Sequence, residues 1–201
     1  MNGQLQIMNK EASRGALLEA GRRILMEKGY NNTGIQEVVQ AAEVPKGSFY
    51  YYFKSKEDFG LQIIDGFAQS YQNRLEKYLT DKTLSPLARL RQHVDFYCQM
   101  LEAMDYRSGC LVGTLGQELA NQHDLFRSRV AEVFTEWREH YENCFREAQQ
   151  VGELAQHLDV EAIADFYLSA WEGAMLQVKV TRSILPFKRF IQVMFEQVLK
   201  P

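Results

Sequence analysis

The side chains able to do chemistry divide into a scattered set and a concentrated one. The four histidines, His93, His123, His140 and His157, lie 30, 17 and 17 residues apart. No pair therefore has the spacing that places two imidazoles on one helical face to hold a metal. The Gly-x-Ser-x-Gly nucleophile turn and the Gly-x-x-x-x-Gly-Lys phosphate loop are absent. Carboxylate pairs such as Glu136 and Glu139 sit in a charge-rich stretch and read as a solvated face. The sequence points to no catalytic residue, no metal and no cofactor. Cys98, Cys110 and Cys144 are odd in number and lack Cys-x-x-Cys spacing, so they build neither a disulfide framework nor a zinc knuckle and fit a reducing, cytoplasmic setting.

The concentrated set is Val44 to Lys56. Five of these thirteen residues are aromatic, three are lysines and none is acidic. Such a surface suits phosphate and flat, hydrogen-bonding partners. A short helix over 45–53 puts Phe49, Phe53 and Tyr52 on one face, and Lys46, Tyr50 and Lys54 on the other with Gly47 and Tyr51. One face anchors and the other reaches out.

Elements must position that surface, and the composition says which kind. The chain has 201 residues, 46% of them hydrophobic and only four of them proline. Runs of Val, Ile and Thr are few, while Ala, Leu, Glu, Gln, Arg and Met are common, so an all-α chain of about nine helices is expected. The net charge is −3 overall, with +1 on residues 1–60 and −4 on 61–201; this opposes indiscriminate coating of nucleic acid. Residues 1–11 lack the apolar core of an export signal, and nowhere do eighteen apolar residues run together, so neither export nor a membrane span is expected.

In order, a helix over 11–28 with its stripe at Leu17, Gly21, Ile24 and Leu25 should stop at Gly29. Thr33 and Gln36 match a capping box for a second helix, Gly34 to Ala42, and the Pro45 helix follows at once as a helix-turn-helix. Ser55 to Asp58 is another capping box, starting a long helix to about Leu79. Later helices are expected from Ser85-Pro86 through Met104, over Ser108 to Ala120 as a short or broken segment, and from Asn121 to about Val151. Two more follow, from Asp159 to about Arg182 and from Pro186 to Leu199.

These residues resemble the DNA-binding domain of the TetR family of bacterial transcription regulators. The likeness rests on the Leu-Leu-Glu-Ala helix ending in Lys28-Gly29-Tyr30, on Thr33, on Val44 through Phe53, and on Lys54-Ser55-Lys56-Glu57. Glu43 stands where most members have glycine. The resemblance implies a helix-turn-helix domain over 1–55, and a helical effector-binding and dimerisation domain over 56–201. It also implies a homodimer on double-stranded operator DNA, usually as a repressor, and release by a small-molecule effector. Carried over position by position, the DNA contacts are Thr33, Lys46, Gly47, Ser48, Tyr50, Tyr51 and Lys56. A helical protein-interaction module without DNA binding is the competing reading.

Two readings of the sensing half stay open. Ser108-Gly109-Cys110-Leu111 resembles the branch whose members respond to electrophiles, and a thiol at a helix start beside Arg107 would favour thiolate. Alternatively Tyr97, Met104, Trp137, Tyr141, Phe166, Tyr167 and Trp171 line a cavity for a reversible ligand. By resemblance the last two helices form the dimer interface. Ser169, Gly173 and Ala174 would allow close approach there, and Phe187, Phe190, Ile191, Met194 and Phe195 would supply apolar surface.

Overall fold

The computed structural model describes residues 2–201, with side chains from Glu11 onward. Among the described residues there are nine α-helices and no strand. They fall into two compact units. The first reaches to Phe67 and takes in Thr114–Arg129; the second comprises Ala68–Gly113 and Val130–Pro201.

In the first unit, α1 (Asn2–Lys28) starts well before residue 11, because nothing ahead of it breaks a helix. It stops at Gly29, whose φ of +82° is the left-handed closure glycine supplies without strain. Gly21 is required for another reason: a Cβ there would run into the Phe59 ring and Ile63, so its absence lets α1 lie close against α4 (Lys56–Leu79). Buried Leu17, Ile24 and Leu25 complete that contact face.

The second helix, α2 (Ile35–Ala41), does not start as the capping box predicts. Its N-cap is Gly34, with no side-chain cap. The Thr33 hydroxyl instead donates backwards to the Gly29 carbonyl at 2.6 Å. With Thr33 only 4% exposed, satisfying that carbonyl inside the turn outcompetes capping. After α2, Glu43 takes a φ of +54°. This is the left-handed conformation glycine adopts freely and glutamate does not.

The predicted helix over 45–53 is two pieces. Pro45 leads a 3-10 turn, Lys46–Ser48, and one α-turn follows, α3 (Phe49–Tyr52), ending in extended Phe53. Then Ser55 caps α4 by accepting from the Asp58 N–H at 3.0 Å, while the Asp58 carboxylate reaches back to the Lys54 N–H at 2.8 Å.

The second unit packs α5 (Pro86–Ala103) with most of α7 (Asp124–Gln150), α8 (Val160–Thr181) and α9 (Leu185–Val193), and ends in a π-turn, Met194–Val198. Asp159 caps α8 as expected, accepting from the Glu161 and Ala162 N–H groups. The segment expected to be short or broken is short and unbroken, α6 (Leu111–Leu119), with Gly113 and Gly116 within it. Buried Arg89 donates to the Glu147 carboxylate at 2.6 Å and to the carbonyls of Leu79 and Leu84.

The expected dimer surface is corrected in part. Ala174, Phe187, Phe190, Ile191 and Met194 are buried inside the chain's own core, and Phe195 is half-buried. Their apolar face is covered by α8: Phe187 packs on Trp171 and Phe190 on Tyr167, with ring centroids 4.9 and 5.1 Å apart. Ser169 and Gly173 are exposed. No helix among the described residues is long and apolar enough to cross a membrane.

Candidate nucleic-acid interface and sensing core

The 3-10 turn and α3 divide their side chains sharply. Phe49 and Phe53 are buried against Phe59, their ring centroids 5.1 and 4.8 Å from it. That three-ring plug holds a single helical turn too short to be stable alone. Tyr50 and Tyr51 are 66% and 63% exposed, and Lys46, Gly47 and Lys54 are exposed too, while Ser48 and Tyr52 are half-buried. Gly47 has no structural duty, since its φ is not positive and a Cβ would meet nothing within 4 Å. Its lack of a side chain leaves the backbone open to close approach by a partner.

Two expected contacts are placed differently. Thr33 is buried with its hydroxyl turned inward, as described above. Lys56 is half-buried, its Nζ 4.3 Å above the Tyr30 ring, and burial lowers its pKa. It has a partner within the unit, and only its outer edge remains available.

Glu118 near the end of α6 is a residue that sequence reasoning missed. Its two carboxylate oxygens accept from the Tyr30 and Asn31 N–H groups at 2.8 and 2.7 Å. These are N–H groups of the turn after α1 that no helix satisfies. Phe126 packs edge-on to Tyr30 at 5.0 Å, and Gly60 leaves room for both rings. The first unit is thus locked by α6 and the start of α7.

In the second unit five of the predicted cavity residues come together: Tyr97, Trp137, Tyr141, Tyr167 and Trp171 are all buried. They join Tyr71 and His93 in one aromatic cluster. Tyr71 and Tyr141 share a hydroxyl–hydroxyl bond at 2.6 Å, Arg74 donates to the Tyr97 hydroxyl at 3.2 Å, and His93 stacks on Trp171 at 5.4 Å. Burial, with Arg74 adding to it, pushes His93 down to about 3, so its imidazole is neutral.

Met104 and Phe166 do not belong to the cluster, being 47% and 53% exposed. Met104 lies beyond the end of α5, and Phe166 is one residue out of phase with the buried Ile163, Tyr167 and Trp171. Phe166 instead begins a stripe on α8 with Ser169, Gly173, Leu176 and Val180, all exposed and spaced three and four residues apart.

Cys110, just ahead of α6, has surroundings opposite to those expected. Arg107 is turned away to Asp105 at 3.1 Å. Burial and the neighbouring Glu172 carboxyl push the thiol well above its usual range, although its sulfur accepts from the Gly113 N–H at 3.4 Å. Glu172 is itself raised to about 7 by burial, with the Cys110 hydrogen bond opposing that rise. The thiol rather than the thiolate is the resident form. Cys144 is buried, its Sγ donating to the Pro86 carbonyl, and Cys98 is half-buried.

Two family models match the chain. Residues 17–63 match the family model "Bacterial regulatory proteins, tetR family", and residues 86–194 match "Tetracyclin repressor-like, C-terminal domain". The HTH-type transcriptional repressor DhaR of Mycobacterium sp. (strain GP1) is 34% identical over 192 residues, 96% of this chain and 95% of that protein. The HTH-type transcriptional repressor NemR of Escherichia coli (strain K12) is 30% identical over 199 residues, 90% of this chain and 92% of that one. The crystal structure of a regulatory protein TetR from Rhodobacter sphaeroides superposes with a TM-score of 0.88 at 38% identity, covering 92% of this chain and 97% of the other.

Proposed function

The chain belongs to the TetR family of bacterial transcription regulators, and on that premise we propose that it is a cytoplasmic repressor, dimeric on its operator, that a small molecule releases. The observation that carries the DNA reading is the exposed set Lys46, Gly47, Tyr50 and Tyr51, held out by buried Phe49 and Phe53. Lys46 and the N–H groups of the 3-10 turn would hold phosphate, and the two tyrosines would meet sugar, phosphate or a thymine methyl. Ser48 is short enough to admit a base edge. Thr33 would contribute through its position in the turn rather than its side chain, and Lys56 through its outer edge.

We assign residues 1–55 to DNA reading and 56–201 to sensing and dimerisation. The exposed stripe Phe166, Ser169, Gly173, Leu176 and Val180 is the surface that best suits a second copy. Two-fold pairing of α8 would bury three large apolar side chains per protomer, and exposed Gly173 would let the backbones approach. Such a dimer must present its reading helices about 34–36 Å apart to enter successive major grooves. An effector that favours another arrangement by a few kcal/mol would empty the operator.

For the signal, the protonated Cys110 thiol favours a reversible ligand in the aromatic cluster over chemical modification. The test of the DNA reading is Lys46→Ala with Tyr50→Ala. On DNA selected from a random pool, the double variant should bind at least tenfold more weakly, on the order of 1–3 kcal/mol, with unchanged dimerisation and melting. Unaltered binding refutes it. For the sensing half, Cys110→Ser should still be released by the effector; a variant that no longer responds restores the thiol reading.

A further inference from the structure

The second unit contains buried polar atoms that no protein group satisfies: both ring nitrogens of His93, the Tyr167 hydroxyl and Oε1 of Glu172. Folded chains hydrogen-bond nearly all such atoms, so three orphaned side chains in one place need a reason. They are in one place. His93 and Tyr167 each stack on Trp171, at 5.4 and 6.1 Å, and Glu172 follows Trp171 in α8. Glu172 lies near enough to act on the phenols of Tyr71, Tyr97 and Tyr141, and Arg74 near enough to act on His93. The Cys110 thiol is hydrogen-bonded to the Glu172 carboxyl.

The orphans specify the chemistry they would accept. A neutral imidazole has one N–H donor and one acceptor nitrogen on opposite edges of the ring, so a small head group meets one of them and turns its remaining capacity to the other orphans. A carboxylate only accepts, and would be a buried charge facing the Glu172 carboxyl. An ammonium only donates, and where Glu172 holds its proton it would be a buried charge without a counter-ion, in the field of Arg74. A neutral head such as a primary amide or a hydroxyl bonds one nitrogen of His93 and leaves a donor for Glu172 or an acceptor for Tyr167. The surrounding rings pack closely on one another, with centroids 4.1 to 6.2 Å apart, which favours a short apolar tail.

We infer that His93, Tyr167 and Glu172 form a closed site for a small neutral molecule whose head group both donates and accepts hydrogen bonds. It rests on the regulator reading for its consequence, release from DNA, while the binding itself is measured separately. The chain's two tryptophans, Trp137 and Trp171, both lie in the cluster and report on it. The full chain is titrated with three probes of matched shape, propionamide, propionate and propylammonium, while tryptophan fluorescence is read. Propionamide should give a saturable change at least about tenfold tighter than either ion, and His93→Phe and Tyr167→Phe should each weaken it about tenfold. Both substitutions remove a lone buried polar group, so both should raise the melting midpoint.

The inference is overturned if no probe changes the fluorescence, if an ion binds as tightly, or if both variants bind like the wild type. It is equally overturned if Tyr167→Phe, which keeps the ring, lowers the midpoint, since the hydroxyl then has a structural partner. Should His93→Phe fail to fold, Tyr167→Phe alone decides. Operator binding by the unliganded wild type is the separate arm: its failure sinks the regulator reading and leaves the site standing.

Discussion

The surface of residues 46–54 and the cluster around His93 use aromatic residues in opposite ways. On the surface, Phe49 and Phe53 face in and Tyr50 and Tyr51 face out, so the buried plug is hydrocarbon and these two tyrosines stand in solvent. In the cluster the tyrosines face in, and their hydroxyls find each other, as in the Tyr71–Tyr141 pair, or find nothing, as in Tyr167. The first arrangement needs one helical turn and a plug of three rings. The second needs side chains from α4, α5, α7 and α8 at once. A surface for a polymer can be local, whereas a closed site for a small molecule is made by packing and carries unmet polar groups as its signature.

The strongest way to break that contrast is to attack the stripe on α8 where the second unit also turns apolar residues outward. Leu176→Glu with Val180→Glu puts two charges on the exposed α8 stripe. If this face pairs with a second copy, the dimer should weaken by about a hundredfold or more, seen as monomer by sedimentation, with helicity intact. A dimer of undiminished strength moves the interface elsewhere.

Next in size is Glu118→Gln. The amide keeps one acceptor but turns an NH2 toward the second backbone N–H, so unfolding stability should drop by about 1–3 kcal/mol. A loss within error would mean that the turn after α1 is held by the Tyr30 and Phe126 packing alone.

The cluster's acidity gives a sharper contrast. The unfolded chain protonates His93 near 6.5 and the folded chain only near 3, so between those values unfolding binds a proton and stability rises with pH. Glu172 runs the other way: folded it holds its proton to about 7, unfolded only to about 4.5, so stability falls as pH rises across that window. From 4.5 to 6.5 the two slopes oppose each other. Removing one in Glu172→Gln should expose the other, steepening acid destabilisation by up to about 1.4 kcal/mol per pH unit in denaturant titrations. Parallel profiles for wild type and variant would rule out the pairing.

The smallest effect belongs to the reading unit. Glu43→Gly relieves a left-handed residue and should stabilise by about 1 kcal/mol without changing the exposed face; a loss of stability would mean that the Glu43 side chain contributes more than its backbone costs.

What the sequence shows follows the same division. The faces of Phe49, Phe53, Tyr50 and Tyr51 are legible because one local period sets them. Asp159 and Gly29 are legible because caps are local. Thr33 is not, because its hydroxyl has two local partners and burial chooses between them. Phe187 and Phe190 read as surface for a partner because periodicity shows an apolar face without showing what covers it. Phe166 could have been moved by its spacing to Ser169, Gly173, Leu176 and Val180, one residue out of step with Tyr167. His93 and Glu172 gave little warning, since burial without partners is decided by helices far apart in the chain. The all-helical architecture was plain from composition and stop signals.

The reading unit is discontinuous along the chain, and that has a consequence for its biosynthesis. When the ribosome has released residues only as far as Phe67, the turn after α1 still lacks the Glu118 carboxylate and the Phe126 ring that complete it. A nascent chain, or a fragment cut at that point, carries the residues proposed to meet DNA on an unfinished support. Completion of that support therefore comes later in translation, after Ala68–Gly113 of the second unit has been made.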